Sequence, residues 1–242
     1  TSLGTVFCGG TLTPQGGSKA SDWAGMIDGY IAAAAASRLK VPLLYGIDAV
    51  HGASKTVGAV LFPHNAGLGS SRNPQLVEDI GHVTAIEAAA QGMSWTFAPS
   101  FGVSFDDRWG RVFESFSEDP ELAGLLGAAG VLGLQGRGGL GTGAPGIVAC
   151  GKHFAADGQA KAGTSSKGGI VDRGDVQIDE AAMRKYGIAP YLPAIKAGIG
   201  TIMVSDARWN GVNMTGSKQL ITTILKDELK FKGIVATDWE AS

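Results

Sequence analysis

Short apolar runs recur along this chain, and most of them end in polar or charged residues. They lie at 4–8, 42–47 (tipped by Asp48 and His51), 95–98, 147–150 (tipped by Lys152 and His153), 201–204 (tipped by Ser205 and Asp206) and 233–237 (tipped by Asp238 and Trp239). Asp106 to Arg111 stand a few residues beyond the third run. Runs of this length, bounded by turn residues and with little period-2 alternation, read as strands buried on both faces. Between them the spacing changes to that of helices. Met26, Ile27, Tyr30, Ile31 and Ala34 fit one helical face over 23–39, with Ser21 or Asp22 available as cap. Asn73-Pro74 and Asp119-Pro120 each supply a cap followed by a proline at the first helical position, opening helices on Leu76, Ile80, Val83 and Ile86 and on Leu122, Leu125, Leu126 and Val131. Two further helices are expected over 179–197 and 217–229, the last closing on Lys230, Lys232 and Gly233.

Strand–helix alternation with short connections predicts an α/β protein built on a parallel sheet. Its polar residues collect after the strands, the end at which β/α barrels and open α/β sheets bind ligands. A nucleotide-binding open sheet needs a glycine fingerprint between the first strand and helix, and Gly9-Gly10 followed by a long loop does not supply G-x-G-x-x-G. A (β/α)8 TIM-type barrel is therefore favoured. About six of its eight strand–helix units are present, and residues 1–242 read as one partial barrel domain.

Composition narrows the function classes. Of 242 residues, 44% are hydrophobic and 17% charged, which fits a globular domain with a sizeable core. The net charge of −2, with no Lys/Arg run, gives no footing for nucleic acid. No apolar run approaches the roughly 20 residues that span a bilayer, so no membrane partner is expected. Cys8 and Cys150 sit in apolar runs and read as buried thiols, and the four His are too scattered for a metal site. No cofactor is expected. The chain opens on Thr1 in mid-pattern, so further residues are expected ahead of it.

Six motifs then carry a family likeness: Gly46-Ile47-Asp48-Ala49-Val50-His51-Gly52, Phe62-Pro63-His64-Asn65, the Asp107-Arg108-Trp109-Gly110-Arg111 block with Glu114-Ser115 and Glu118-Asp119-Pro120, Lys152-His153-Phe154, Trp209-Asn210-Gly211, and Thr237-Asp238-Trp239. In this order and spacing they resemble glycoside hydrolase family 3, the β-glucosidase and exo-β-glucan hydrolase group. The resemblance implies a retaining, exo-acting β-glycosidase that removes terminal β-D-glucosyl residues from glucosides or gluco-oligosaccharides. It implies Asp238 as the nucleophile, and Asp48, Arg111, Lys152 and His153 as holders of the terminal sugar. It also implies a general acid/base from a downstream α/β sandwich domain outside these residues, and a secreted or periplasmic location.

The residue chemistry suits these roles. Asp238 must stay ionised to attack, which cations such as Lys152 and Arg111 favour if they share its pocket. Trp239 offers a ring face to a sugar. An ionised Asp48 accepting sugar hydroxyls makes strong hydrogen bonds. Lys152 and His153 are adjacent, so a regular strand would point them to opposite faces; both reach one ligand only if the strand turns there. Arg108 with Glu114 is expected to brace the loop while Arg111 faces the sugar. Asp206 is an extra carboxylate expected to face the pocket near Asp238. Left open are a β-xylosidase-type specificity, a non-catalytic sugar-binding fragment, and a phosphate-binding barrel using the glycines of 136–146. These readings divide on Asp238, as nucleophile or as plain strand cap.

Overall fold

A computed structural model describes residues 4–8, 13–140, 146–165, 168 and 170–239 of the chain. Its main sheet is made of β1 (Thr5–Cys8), β2 (Leu44–Ile47), β3 (Trp95–Thr96), β4 (Val148–Phe154), β6 (Thr201–Val204) and β9 (Ile234–Thr237), every neighbouring pair parallel. The spatial order follows the chain order. A doubly wound sheet would reverse its order at a switch point; this one does not. The sheet curls until Phe7 on β1 meets Trp239 just past β9, their ring centroids 4.6 Å apart. The architecture is an incomplete α/β barrel of the TIM type.

Side-chain alternation divides the strands between two apolar layers. Trp95, Phe97, Cys150 and Met203 point inward and pack on one another, whereas Tyr45, Ile47, Ala149, Ile202 and Val204 point outward into the larger core beneath the helices. Inside the barrel the Trp95 indole N–H donates to Thr201 Oγ1 at 2.9 Å, and Thr201 donates to the Ala149 carbonyl at 2.9 Å, so two buried polar side chains satisfy each other. Burial pushes the Cys150 thiol up to about 12, so that sulfur stays protonated and inert. The Cys8 side chain and residues 141–145 of the glycine segment lie outside the described residues.

The outer helices form where their caps predict, with instructive differences. In α1 (Ala20–Ala35) the cap position is Lys19, and Asp22 sits one turn in, where its carboxylate accepts the Lys19 backbone N–H at 2.9 Å. Neither Ser21 nor Asp22 is the cap itself. Of the expected face only Ile27 is buried, joined by Trp23 from the first turn; Tyr30 and Ile31 are exposed. α2 (Asn65–Ser71) has no apolar periodicity to announce it. α3 (Pro74–Ala89) and α4 (Pro120–Gln135) start as read, Asn73 accepting from Leu76 N–H and Asp119 from Glu121 N–H. These two helices press together through Gly81, Gly130 and Gly133, where backbone meets backbone.

After β4, a second, small sheet forms over the barrel mouth from β5 (Asp175–Val176), β7 (Arg208–Trp209) and β8 (Val212–Asn213). β7 and β8 are a hairpin whose two-residue turn is Asn210-Gly211, with φ of 48° and 84°. Two positive φ values define the type I′ turn that Asn-Gly favours, which explains the Trp209-Asn210-Gly211 motif as local geometry. The expected helix at 179–197 is an irregular helical stretch capped by Asp179: α5 (Glu180–Ala182), a wider π-type turn over Met183–Ile188, and α6 (Leu192–Lys196). The last helical stretch, Gln219–Glu228, precedes β9. Among the described residues no helix is long and apolar enough to cross a membrane.

Candidate active site

At the carboxyl ends of the main strands lies a cleft of about 240 Å³. It is lined by Asp48 after β2, Phe97 and Arg111 after β3, Lys152 and His153 at the end of β4, Asp172 and Arg173 ahead of β5, Met203 on β6, and Asp238 with Trp239 after β9. Six of the seven residues expected in the site therefore converge. The seventh, Asp206, lies between β6 and β7 and is not among the lining residues.

Lys152 and His153 both reach the cleft because β4 is bulged. Gly151 pairs with Ile202 and Phe154 with Val204, so β4 advances three residues while β6 advances two. An extra residue breaks the alternation that would have sent one of the side chains outward. The Lys152 ammonium then donates to Asp48 Oδ1 at 2.9 Å across the mouth of β2. The pair leaves Asp48 Oδ2 and two further ammonium hydrogens as groups a hydroxyl-rich ligand can use.

Arg111 takes the bracing role expected of Arg108. A short 3₁₀ turn over Val112–Glu114 folds Glu114 back, and the Arg111 guanidinium grips it with bonds of 2.7 and 2.9 Å. Positions three apart face one another in such a turn, and the planar fork fits a carboxylate. Arg108 instead pairs with Asp106 in solvent, at 2.7 Å. Burial alone would raise the Glu114 pKa; its bonds to Arg111 more than offset this and hold the carboxyl below its ordinary value. The Arg111 Nη2 that bonds Glu114 also lies 3.1 Å from His153 Nε2, so one guanidinium joins the brace to the cleft.

His153 is held from behind by Asp157, whose Oδ2 lies 2.9 Å from His153 Nδ1. Asp157 also accepts the Ser205 hydroxyl, and that hydroxyl oxygen accepts the Ala207 N–H at 3.0 Å. Burial opposes ionisation of Asp157, yet the His153 imidazole beside it, with Arg111 and Ser205 behind, holds its pKa below the ordinary value. Sequence reading passes over Asp157 because its partner stands four residues away across a turn rather than along a helix. It also misses Asp172 and Arg173, whose loop has no regular spacing. Asp172 accepts the Trp109 indole N–H at 3.3 Å, tying that loop to the arginine block.

The Asp238 carboxylate is buried, and its two oxygens have different surroundings. Oδ1 accepts the Trp239 backbone N–H at 2.7 Å, the turn-capping role open to any strand-end aspartate. Oδ2 faces His153 Nε2 at 3.8 Å, beyond hydrogen-bond distance, and opens on the cleft. Trp239 is half exposed and packs edge-on against Phe7. The cleft's other carboxylates are engaged: Asp48 with Lys152 and Asp172 with Trp109, while Glu114 with Arg111 and Asp157 with His153 stand just behind. Among the described residues no three His, Cys, Asp or Glu side chains come together in metal-binding geometry.

This arrangement makes stability depend on acid. Glu114 and Asp157 both have folded pKa values depressed below their ordinary 4.5 and 3.8. Each therefore contributes stability that is fully present above those ordinary values and is lost as pH falls through the lower, folded ones. Urea midpoints should be flat in this contribution from about pH 7 to about pH 5.5 and fall below about pH 4.5. Glu114→Gln should be less stable at neutral pH and flatter toward acid. An equal acid slope in the variant would remove Glu114 from this role.

A parallel barrel with a polar, partly charged cleft at its strand ends is the class of scaffold defined so far, and comparison with known proteins places it. Residues 2–242 match the glycosyl hydrolase family 3 N terminal domain. The chain is 38% identical over 205 residues to a lysosomal beta glucosidase of Dictyostelium discoideum, covering 83% of this chain and 24% of that protein. The exo-1,3/1,4-beta-glucanase of a Pseudoalteromonas species superposes with a TM-score of 0.90 at 40% identity, covering 98% of this chain and 30% of that one. A Listeria innocua beta-glucosidase crystallised with glucose superposes at 0.82 with 33% identity, over 98% of this chain and 30% of that one. The chain belongs to glycoside hydrolase family 3. It spans about a quarter of the length of the curated relatives it matches.

Proposed function

We propose that this chain carries the nucleophile and the sugar-holding wall of a retaining, exo-acting β-glycosidase for terminal β-D-glucosyl residues. The observation that carries this reading is the Asp238 carboxylate. It is buried at the tip of β9, fixed through Oδ1 and open through Oδ2 to a cleft that Asp48, Lys152, Arg111 and His153 also line. Oδ2 attacks the anomeric carbon as the glycosidic C–O bond breaks, and the leaving oxygen takes a proton from a general acid. Water then cleaves the glycosyl–Asp238 ester, regenerating the carboxylate. Asp48 and Lys152 hold sugar hydroxyls from one side and Arg111 and His153 from the other. The naming of the relatives as β-glucosidase and exo-glucanase, one of them crystallised with glucose, supports a gluco-configured sugar in this position.

A retaining pair needs its second carboxyl about 5–5.5 Å from the first. The cleft's other described carboxylates are already engaged with donors, so the acid/base is assigned to a part of the full-length protein outside the described residues, which the short span relative to the relatives accommodates. Incubating the full-length protein with a 2-fluoro β-glucoside should add one sugar mass to the peptide containing Asp238. A label on any other carboxylate sinks the assignment.

A further inference from the structure

The buried Asp157–Ser205 pair is used by no step above, yet it touches the one cleft side chain whose two faces have different chemistry. His153 presents Nδ1 to Asp157 and Nε2 to both Arg111 and the open side of Asp238. A guanidinium has only donors, so an Arg111 nitrogen 3.1 Å from Nε2 requires Nε2 to be the acceptor. The remaining ring proton then sits on Nδ1, donated to Asp157 Oδ2 at 2.9 Å. Asp157 accepts this proton as a carboxylate, and Ser205 at the end of β6 donates to its other oxygen and so fixes its orientation. The charged groups facing the ring are thus Asp157 behind it, Arg111 on the loop after β3, Asp238 after β9, and Lys152 beside it on β4. The other tautomer would set an Nε2–H against the Arg111 donors and leave Nδ1 facing a carboxylate with no proton between them.

We infer that Asp157, oriented by Ser205, is a positioning residue that fixes His153 as the Nδ1–H tautomer, so that Nε2 accepts from Arg111 and holds the guanidinium against the sugar face of the cleft. This rests on the sugar-holding role proposed for His153 and Arg111. Asp157 itself is buried behind the ring and is absent from the cleft wall. Outer partners that orient metal-binding imidazoles change affinity or activity by roughly 10–100-fold when removed, and an effect of the same order is expected for a sugar-facing imidazole.

The test is a double-mutant cycle in the full-length enzyme, read as kcat/KM for an aryl β-glucoside and as the inhibition constant of glucose. Asp157→Ala should lower kcat/KM by roughly 10–100-fold and weaken glucose inhibition in parallel. Asp157→Asn, which can keep an acceptor toward Nδ1, should recover part of both losses. In a His153→Ala background either Asp157 substitution should change kcat/KM by less than about threefold, because its only route to the sugar is gone. Full additivity in that background overturns the positioning role and leaves a scaffold residue. If Asp157→Ala does not fold, the Asp157→Asn arm decides alone. Asp238→Asn run alongside separates the two ideas: wild-type turnover there defeats the proposed function, whereas an inactive Asp238→Asn with an additive cycle defeats only the positioning of His153.

Discussion

Asp238→Asn in the full-length protein should abolish the proposed turnover of an aryl β-glucoside, with kcat/KM expected to fall on the order of 10⁴-fold or more, while glucose should still bind within about tenfold of the parent. The substitution keeps the shape of the side chain and the hydrogen bond from the Trp239 N–H. What it removes is the anionic electron pair on Oδ2, the atom that opens on the cleft. Asp48, Lys152, Arg111 and His153 are untouched, so ground-state recognition persists and the loss falls on the chemical step. Asp238→Gly leaves a hole on the same face of the sugar. Added azide should enter it and give the glycosyl azide of inverted configuration with an activated substrate. Unchanged turnover in Asp238→Asn would mean that the strand-cap role is the only one Asp238 has.

A large effect on folding should come from Gly133→Val. A Cβ at Gly133 would stand 2.1 Å from the Glu78 carbonyl oxygen and 2.9 Å from Gly81 Cα, so α3 and α4 would have to move apart along their contact. No flexible side chain can yield there, since the obstacles are backbone. The cost is about 3 kcal/mol or more, beyond the usual range for overpacking a core. Gly25→Ala provides the opposite sign within the same protein. Gly25 lies inside α1 with nothing near its missing Cβ, so alanine should stabilise by about 0.5–1 kcal/mol. Chemical denaturation of the two variants beside the parent checks both, and a Gly133→Val protein as stable as the parent would refute the close helix contact.

The barrel was legible because its inner strands are buried on both faces and its partly exposed end strands β1 and β9 keep the same plain apolar runs, most of them followed by polar residues. The proline-led caps at Asn73 and Asp119 were legible for the same reason: they are local chemistry. Where several distant segments decide the outcome, the sequence was silent or misleading. Strand β4 runs on to Phe154, and only its pairing with β6 reveals the bulge that brings Lys152 and His153 to one side. Arg108 and Arg111 are equivalent on paper; the 3₁₀ turn after Trp109 selects Arg111 for Glu114. The two-residue strands β5, β7 and β8 carry too few positions for any period to show. Asp157 had no motif to announce it, and its meaning comes from His153 and Ser205 meeting it from two different strand ends.

The edge-on contact between Phe7 and Trp239 ties the neighbour of the proposed nucleophile to the first strand of the sheet. Almost the whole described chain separates the two rings in sequence, and contacts of such long range form late because the loop between them must be closed first. During synthesis on a ribosome, the earlier strands and helices can already be packed while this corner of the cleft still awaits β9. Catalytic competence would then come after the packing of the wall that serves it. A nascent chain halted before Asp238 would hold the proposed sugar-binding wall without the proposed nucleophile.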